Sequence, residues 1–436
     1  MSPPESGLPT ARTPQKLDTI RTIPDTSLLE GVPVRSLALP APHPSDRVRR
    51  TQPALIDLIG RALARRRERG GRIYPLAQAV PDFAPPAHVL QALEQALREP
   101  DSHRYTVDPG LPELRRAIAE VLGARRGADW NPERQILVTA GANLAFAELA
   151  PALFDPGEEV LLLAPYYLNH GMAVELAGGR VVEVPLDAER GFGLDLEALE
   201  RAITKAARAV VLVQPSNPIG SLLSRAEIEQ ILGLAQRHNL WVVSDETYED
   251  FVYDPPPGGW CSAASFPEFQ DRVAVIGSFS KSCGLSGWRV GWMALPDALA
   301  PEVLKCHDTM IICAPVAGQK AAIAALRGPW EWLEANRAEL AQRRRTVLDF
   351  LAASESLETA PGASRGAMFV LIRPRGARLA DSTAAALDVI ERTGVALVPG
   401  AAFGRAGAGW LRLSFAGAAP ADLLEALNQL ERYFIT

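Results

Sequence analysis

The chain has 436 residues with 45 Lys and Arg against 51 Asp and Glu, a net charge of −6. That balance excludes the basic footprint expected of a nucleic-acid binder, and no run reaches the roughly 18 apolar residues that a membrane span needs. The length exceeds what one hydrophobic core serves, while 47% apolar and 22% charged residues are ordinary for a globular enzyme, so two domains are expected.

The four cysteines (Cys261, Cys283, Cys306, Cys313) form no C-x-x-C pair, and the six histidines show no metal-ligand spacing. Neither a disulfide framework nor a metal site is expected. The first residues, Met1 to Gly7, lack the basic start and apolar core of a secretory signal, so a cytoplasmic protein is expected.

In chain order, residues 1–45 are proline-rich and aperiodic, which predicts an extended arm. A helical pattern follows at Pro53–Ala64, ending in the basic run Arg65–Arg69, where cations suit a helix C-terminus. Short, nearly continuous apolar runs then predict strands at 135–139, 159–164, 180–184, 209–213, 240–244, 273–276 and 290–294. Helical segments such as Arg225–Ala235 lie between them. This alternation predicts an α/β fold with a mostly parallel, seven-stranded sheet covered by helices. Beyond residue 300 come a long helix at Trp330–Leu351 and strands at 368–372, 395–398 and 411–415, a smaller α+β domain. The expected division is an arm (1–45), a first part of the small domain (46–85), a large domain (86–315) and the rest of the small domain (316–436).

One stretch carries specific chemistry: Ser278-Phe279-Ser280-Lys281, continuing to Gly287-Trp288-Arg289. A lysine just past an apolar strand, among hydroxyls and glycines, is suited to forming an imine with an aldehyde cofactor, and the hydroxyls and Arg289 to holding a phosphate. Alone, it reads far more readily as a solvated turn lysine. Other polar residues also fall just past strand ends, where ligands of parallel sheets gather: Gly141, Ala142 and Asn143; Tyr166 and Tyr167; Asn217; Asp245 and Tyr248. Each has an ordinary structural explanation as a turn, cap or packing residue, but their order and shared position argue for one site.

These motifs resemble the fold-type I, pyridoxal 5′-phosphate (PLP)-dependent aminotransferases of class I/II, the aspartate-aminotransferase-like group, over residues 50–436. The resemblance rests on Ser278–Lys281 with Gly284–Gly291, the turn Ser216-Asn217-Pro218-Ile219-Gly220, Asp245-Glu246-Thr247-Tyr248, and Leu411-Arg412-Leu413-Ser414-Phe415. It implies that Lys281 is the Schiff-base lysine and proton shuttle. It implies that Asp245 pairs with the ring nitrogen, that Tyr248 and Asn217 donate to the ring oxygen, and that Tyr167 stacks on the ring. For the phosphate it implies backbone N–H groups of Gly141, Ala142 and Asn143, the Ser278 hydroxyl, Arg289, and Tyr105 reaching across from a partner subunit, hence a homodimer with shared active sites.

Arg412 resembles the residue that grips the substrate carboxylate, with Asn217 and Ala79 also facing substrate. The chain departs from the family pattern at Ala79, Ile219, Cys283 and Ala401, and no second arginine for a dicarboxylate side chain is evident. The implied activity is transfer of an amino group from an L-amino acid to a 2-oxo acid. The same cofactor residues would serve a lyase, such as a cysteine-conjugate β-lyase or an aminocyclopropane-carboxylate-synthase-like enzyme. A transcription regulator with such a domain as ligand sensor is disfavoured, because no helix-turn-helix pattern precedes it.

Overall fold

The protein is seen here in a computed structural model that describes residues 42–52 and 55–435. Most of the expected arm therefore lies outside the described residues, as do the first two positions of the helical pattern at 53–64. That helix is described from Leu55 to Glu68.

Seven strands form the larger sheet: β1 (Ile136–Thr139), β2 (Glu159–Ala164), β3 (Arg180–Pro185), β4 (Ala207–Val213), β5 (Trp241–Asp245), β6 (Val273–Ser278) and β7 (Gly291–Ala294). Their spatial order is β1-β7-β6-β5-β4-β2-β3. All neighbours are parallel except β7, which runs antiparallel to both β1 and β6. The apolar runs are nearly continuous because both faces are covered. Alternate residues of one strand enter different cores: Val210, Leu212, Val242, Val273 and Val275 on one side, Ala209, Val211, Val243, Ala274 and Ile276 on the other.

The intervening helices begin and end where their sequences dictate. Ser224 caps Arg225–Arg237 with a reciprocal capping box to Glu227, and Gly127 closes Pro112–Arg126 in the left-handed conformation.

A second sheet has the order β10-β11-β9-β8 and is antiparallel, built from β8 (Leu357–Glu358), β9 (Phe369–Pro374), β10 (Val398–Pro399) and β11 (Leu411–Ser414). Its core includes Phe369, Leu371, Leu411, Leu413 and the helix Glu331–Ala353 through Leu340 and Val347. The strand expected at 395–398 is mostly consumed otherwise: Val395 bridges to Tyr74, and only Val398–Pro399 pair with β11. Residues 74–82 run alongside, with Ser414 N donating to Leu76 O (2.8 Å) and Arg343 holding Asp82 through two hydrogen bonds (3.0 and 2.9 Å).

Gly277 on β6 lies opposite Trp292 on β7, and the indole fills the space a side chain would take. A Cβ at Gly277 would sit 2.2 Å from two ring atoms. Gly277→Ala is therefore expected to cost about 1–3 kcal/mol by overpacking, seen as a lowered urea midpoint of the cofactor-free protein. An unchanged midpoint would mean that Trp292 repacks without cost.

Candidate active site

The carboxyl ends of the parallel strands enclose a cavity of about 160 Å³. Its lining comes from consecutive strand ends, as the topology requires. Ala142 and Asn143 follow β1, Tyr167 follows β2 and Asn217 follows β4. Asp245 ends β5, with Thr247 and Tyr248 beyond it, while Ser278 ends β6, followed by Lys281 and, before β7, Arg289. Arg412 enters from the other sheet, on β11, with its Nη1 donating to Asn217 Oδ1 at 3.0 Å.

Lys281 is largely buried, and its Nζ donates to the Ala79 carbonyl at 2.7 Å. Burial, reinforced by the charges of Arg412 and Arg289, lowers its pKa to about 8. Arg412 is buried as well, which lowers its pKa to about 10. Its Nη2 donates to Ala77 O (2.6 Å), whereas its Nε has no partner. The Phe369 and Phe403 rings flank the guanidinium at 5.1 and 5.0 Å. Arg289 donates only to Ser286 O (2.9 Å), Ala140 O (3.1 Å) and, weakly, Ser280 Oγ (3.5 Å). Among the described residues, none of these three cations has a carboxylate within ion-pair distance.

Asp245 is the only acid in the lining. Burial alone would raise its pKa. His170, whose Nε2 lies 3.1 Å from Oδ2, and the Thr247 N–H, 3.0 Å from Oδ1, outweigh that and hold it below the usual carboxylate range. Burial pushes the phenols of Tyr167 and Tyr248 upward, so both remain protonated donors. Gly141 precedes the helix Ala142–Leu153 with φ +89°, and a Cβ there would sit 2.5 Å from Arg289 Nη2. The open N–H groups at this helix start face the same region as Arg289.

Four expected site residues are outside this lining: Gly141 directly precedes Ala142, Arg412 adjoins it through Asn217, and two others stand further apart. Tyr105 is 77% exposed and does not line this cavity. Ala79 meets Lys281 through its backbone carbonyl and is absent from the lining.

Sequence reading had passed over His170, although it lies three residues after Tyr167, one helical turn away on Leu168–Leu176. Its ring stands edge-on to Tyr167 at 5.1 Å. Asn169 was missed too; its Nδ2 donates to Asn143 Oδ1 (2.6 Å) and to the Tyr167 hydroxyl (3.1 Å).

The family model "Aminotransferase class I and II" matches residues 72–430. The aspartate aminotransferase of Pyrococcus abyssi is 36% identical over 354 residues, covering 81% of this chain and 89% of that one. The arginine–pyruvate transaminase of Pseudomonas aeruginosa is 38% identical over 377 residues, covering 86% and 93%. Among solved structures, aspartate aminotransferase from Thermus thermophilus with maleate superposes with a TM-score of 0.83 at 32% identity, covering 90% of this chain and 99% of that one. The chain belongs to the class I and II aminotransferases and is a PLP-dependent transaminase.

The donor set fits that cofactor. A glycine-opened helix start beside an arginine without a carboxylate partner suits a phosphate, a buried amine suits an aldehyde, and an ionised aspartate suits a protonated ring nitrogen.

Only the neutral amine attacks an aldehyde. Cofactor loading of the apo protein, followed as growth of visible absorbance, is expected to accelerate with pH and level off above about 8. At pH 7 the rate should be about a tenth of the plateau, whereas an unshifted lysine would still be accelerating at pH 10. A rate still rising at that pH would contradict the buried-lysine electrostatics.

Proposed function

We propose that Lys281, Asp245, Asn217, Tyr248, Tyr167, Ser278, Arg289 and the Gly141–Asn143 helix start hold the cofactor, and that Arg412 with Asn217 holds the substrate carboxylate. The observation that carries this reading is a cavity with one acid that is lined by Lys281 and Arg289 and adjoined by Arg412 through Asn217, none of the three with a carboxylate partner among the described residues. A phosphate and an α-carboxylate supply the missing negative charge.

When bound, PLP supplies an aldehyde and a ring that accepts electrons from the substrate α-carbon. Asp245 keeps the proton on the ring nitrogen, and His170 keeps Asp245 ionised. Lys281 Nζ, half deprotonated near pH 8, would serve as the base that takes up the substrate α-proton and gives it back. Arg412 orients the substrate through a planar fork that lysine does not reproduce. The donor is an L-amino acid and the acceptor a 2-oxo acid. The departure at Ala79 lies at the Lys281 contact, so it bears on the space left for substrate.

We read residues 46–85 with 316–436 as the smaller lobe and 86–315 as the cofactor lobe, in a cytoplasmic homodimer. Support for the dimer is a set of exposed apolar side chains, of which Trp288 precedes Arg289 of the cavity lining. Tyr105, Val107, Trp288, Met310 and Ile312 are all exposed. Their segments meet where Gln319 Oε1 accepts from Leu111 N (2.7 Å) and Gly318 abuts the Trp288 carbonyl. Such a patch suits burial against a second copy, with Tyr105 entering the neighbouring site.

The activity is tested by mixing cofactor-loaded protein with single amino acids. A transaminase loses its visible absorbance with a donor alone and regains it with a 2-oxo acid. Release of pyruvate and ammonia without an acceptor would instead mark a lyase. Lys281→Ala should lack the visible band, and Arg412→Lys should raise KM about tenfold or more, the loss of roughly 1.4 kcal/mol.

The dimer is tested by mixing Lys281→Ala with Tyr105→Phe protein. Shared sites predict that the mixture gains activity above both parents, whereas two self-contained sites predict the mean of the parents.

A further inference from the structure

The segment Ser364–Phe369, leading into β9, has no role in the reading above. Two of its non-glycine residues, Ser364 and Ala367, hold positive φ values of 58° and 60°. L-residues rarely take this conformation, and it persists only where surroundings over-determine it. Ser364 is fully buried, and its hydroxyl has no partner among the described residues. The question is what imposes the strain.

Its hydrogen bonds answer this. Ser364 N donates to Ile219 O (3.3 Å) and Gly366 N to Gly220 O (2.8 Å), both in the turn that carries Asn217. Ala367 N donates to Phe251 O (2.8 Å), and Arg365 O accepts from Tyr253 N and Asp254 N (2.9 and 3.1 Å), in the segment that follows Tyr248. Arg344 closes the arrangement from the long helix, donating to Ser364 O and to Asp254.

The fit is close. A Cβ on Gly220 would lie 2.5 Å from Gly366 O and 2.8 Å from Ser364 Cα, and a Cβ on Gly366 would lie 2.7 Å from Pro215. The segment ends at Phe369, whose buried ring meets the Tyr248 ring edge-on at 5.3 Å and lies 5.1 Å from the Arg412 guanidinium.

We propose that Ser364–Phe369 is a positioning segment that sets Asn217, Tyr248 and Arg412 relative to one another. It is the splice between the two sheets: its backbone is tied to loops of the seven-stranded sheet, and its last residue opens the sheet that carries Arg412. The left-handed residues allow four successive amides and carbonyls to reach two separate loops, which an extended segment facing alternate sides does not do. Phe369 then fixes the guanidinium, whose other supports among the described residues are Phe403, Asn217 Oδ1 and Ala77 O.

This inference rests on the reading of Arg412 as the carboxylate grip, so the test includes that residue. The variants are Phe369→Leu, Ala367→Val, Ala367→Gly and Arg412→Lys, each loaded with PLP. The donor is whichever proteinogenic amino acid discharges the wild-type visible band fastest. KM and kcat for that half-reaction, the visible circular dichroism of the bound cofactor and the thermal midpoint are measured.

Phe369→Leu removes both ring contacts, and Ala367→Val puts a β-branched residue where φ is positive. Both are expected to raise KM about tenfold, with kcat within about threefold of wild type, and to alter the circular dichroism. Ala367→Gly, which tolerates the same φ, should match wild type.

Wild-type KM and circular dichroism in Phe369→Leu and Ala367→Val would overturn the proposal. So would equal damage from Ala367→Gly, or a loss of activity that only follows the fraction unfolded. If Phe369→Leu does not fold, the contrast between the two Ala367 variants decides, and failure of both Phe369→Leu and Ala367→Val to fold also counts against it. A wild-type KM in Arg412→Lys would instead sink the carboxylate reading itself.

Discussion

The site is governed by a charge imbalance that the fold holds in place. Lys281 and Arg289 line one cavity whose only acid is Asp245, Arg412 adjoins it through its hydrogen bond to Asn217, and Asp245 is already engaged by His170 and the Thr247 N–H. Arg289 stays exposed, but Lys281 and Arg412 are removed from water without carboxylate partners, which is costly, and here the protein meets that cost in two ways. It lowers the charge on the amine, whose pKa falls to about 8, and it supplies carbonyl, amide and aromatic partners to the guanidinium of Arg412. The remaining deficit is the driving force for binding anions, and a transaminase brings two of them: the cofactor phosphate and the substrate carboxylate.

That imbalance is possible only because both sheets contribute. The parallel strands deliver Asn217, Asp245 and Lys281 by one rule, each placed at or just past a strand end, so register within the sheet sets their spacing. Arg412 follows a different rule. It lies in the middle of an antiparallel strand, paired with Val398 on one side and Leu371 on the other. Its position relative to Asn217 depends on how the sheets are joined. Residues 74–82 and 364–369 are two of the joints, and each also touches a site residue: Ala77 and Ala79 accept from Arg412 and Lys281, and Phe369 lies against Arg412 and Tyr248.

What the sequence made legible follows from this division. Strands β2, β4, β5 and β6 were readable because burial on both faces demands continuous Val, Ile and Leu, and the residues after them inherited their positions from the strands. The short pairing at Val398–Pro399 was not readable, because an apolar run such as Val395–Val398 does not reveal that its first residue bridges to Tyr74. His170 went unnoticed because a histidine on a helix carries no periodic signal; only the fold brings it against Asp245. The backbone contributions of Ala77 and Ala79 and the left-handed conformations of Ser364 and Ala367 are also silent in the sequence, since carbonyls are common to every residue and neither serine nor alanine announces a positive φ.

The two titratable groups nearest the chemistry are pushed in directions that suit opposite tasks. Asp245 is buried yet held ionised, because a hydrogen-bonding histidine and a backbone N–H outweigh desolvation. Lys281 is buried among cations and becomes neutral near pH 8, because desolvation and the charges of Arg412 and Arg289 act together. In the proposed reading Asp245 stays charged to hold a proton on the cofactor ring, while Lys281, half deprotonated near pH 8, would take one from the substrate. Exchanging their surroundings would disable both: a neutral Asp245 leaves the ring nitrogen without its counter-charge, and a fully protonated Lys281 has no lone pair with which to act. The charges of Arg412 and Arg289 already tune the amine before any ligand arrives. In the proposed reading, a bound phosphate and carboxylate would weaken that field and raise the Lys281 pKa, so anion binding and the protonation of Lys281 would be coupled.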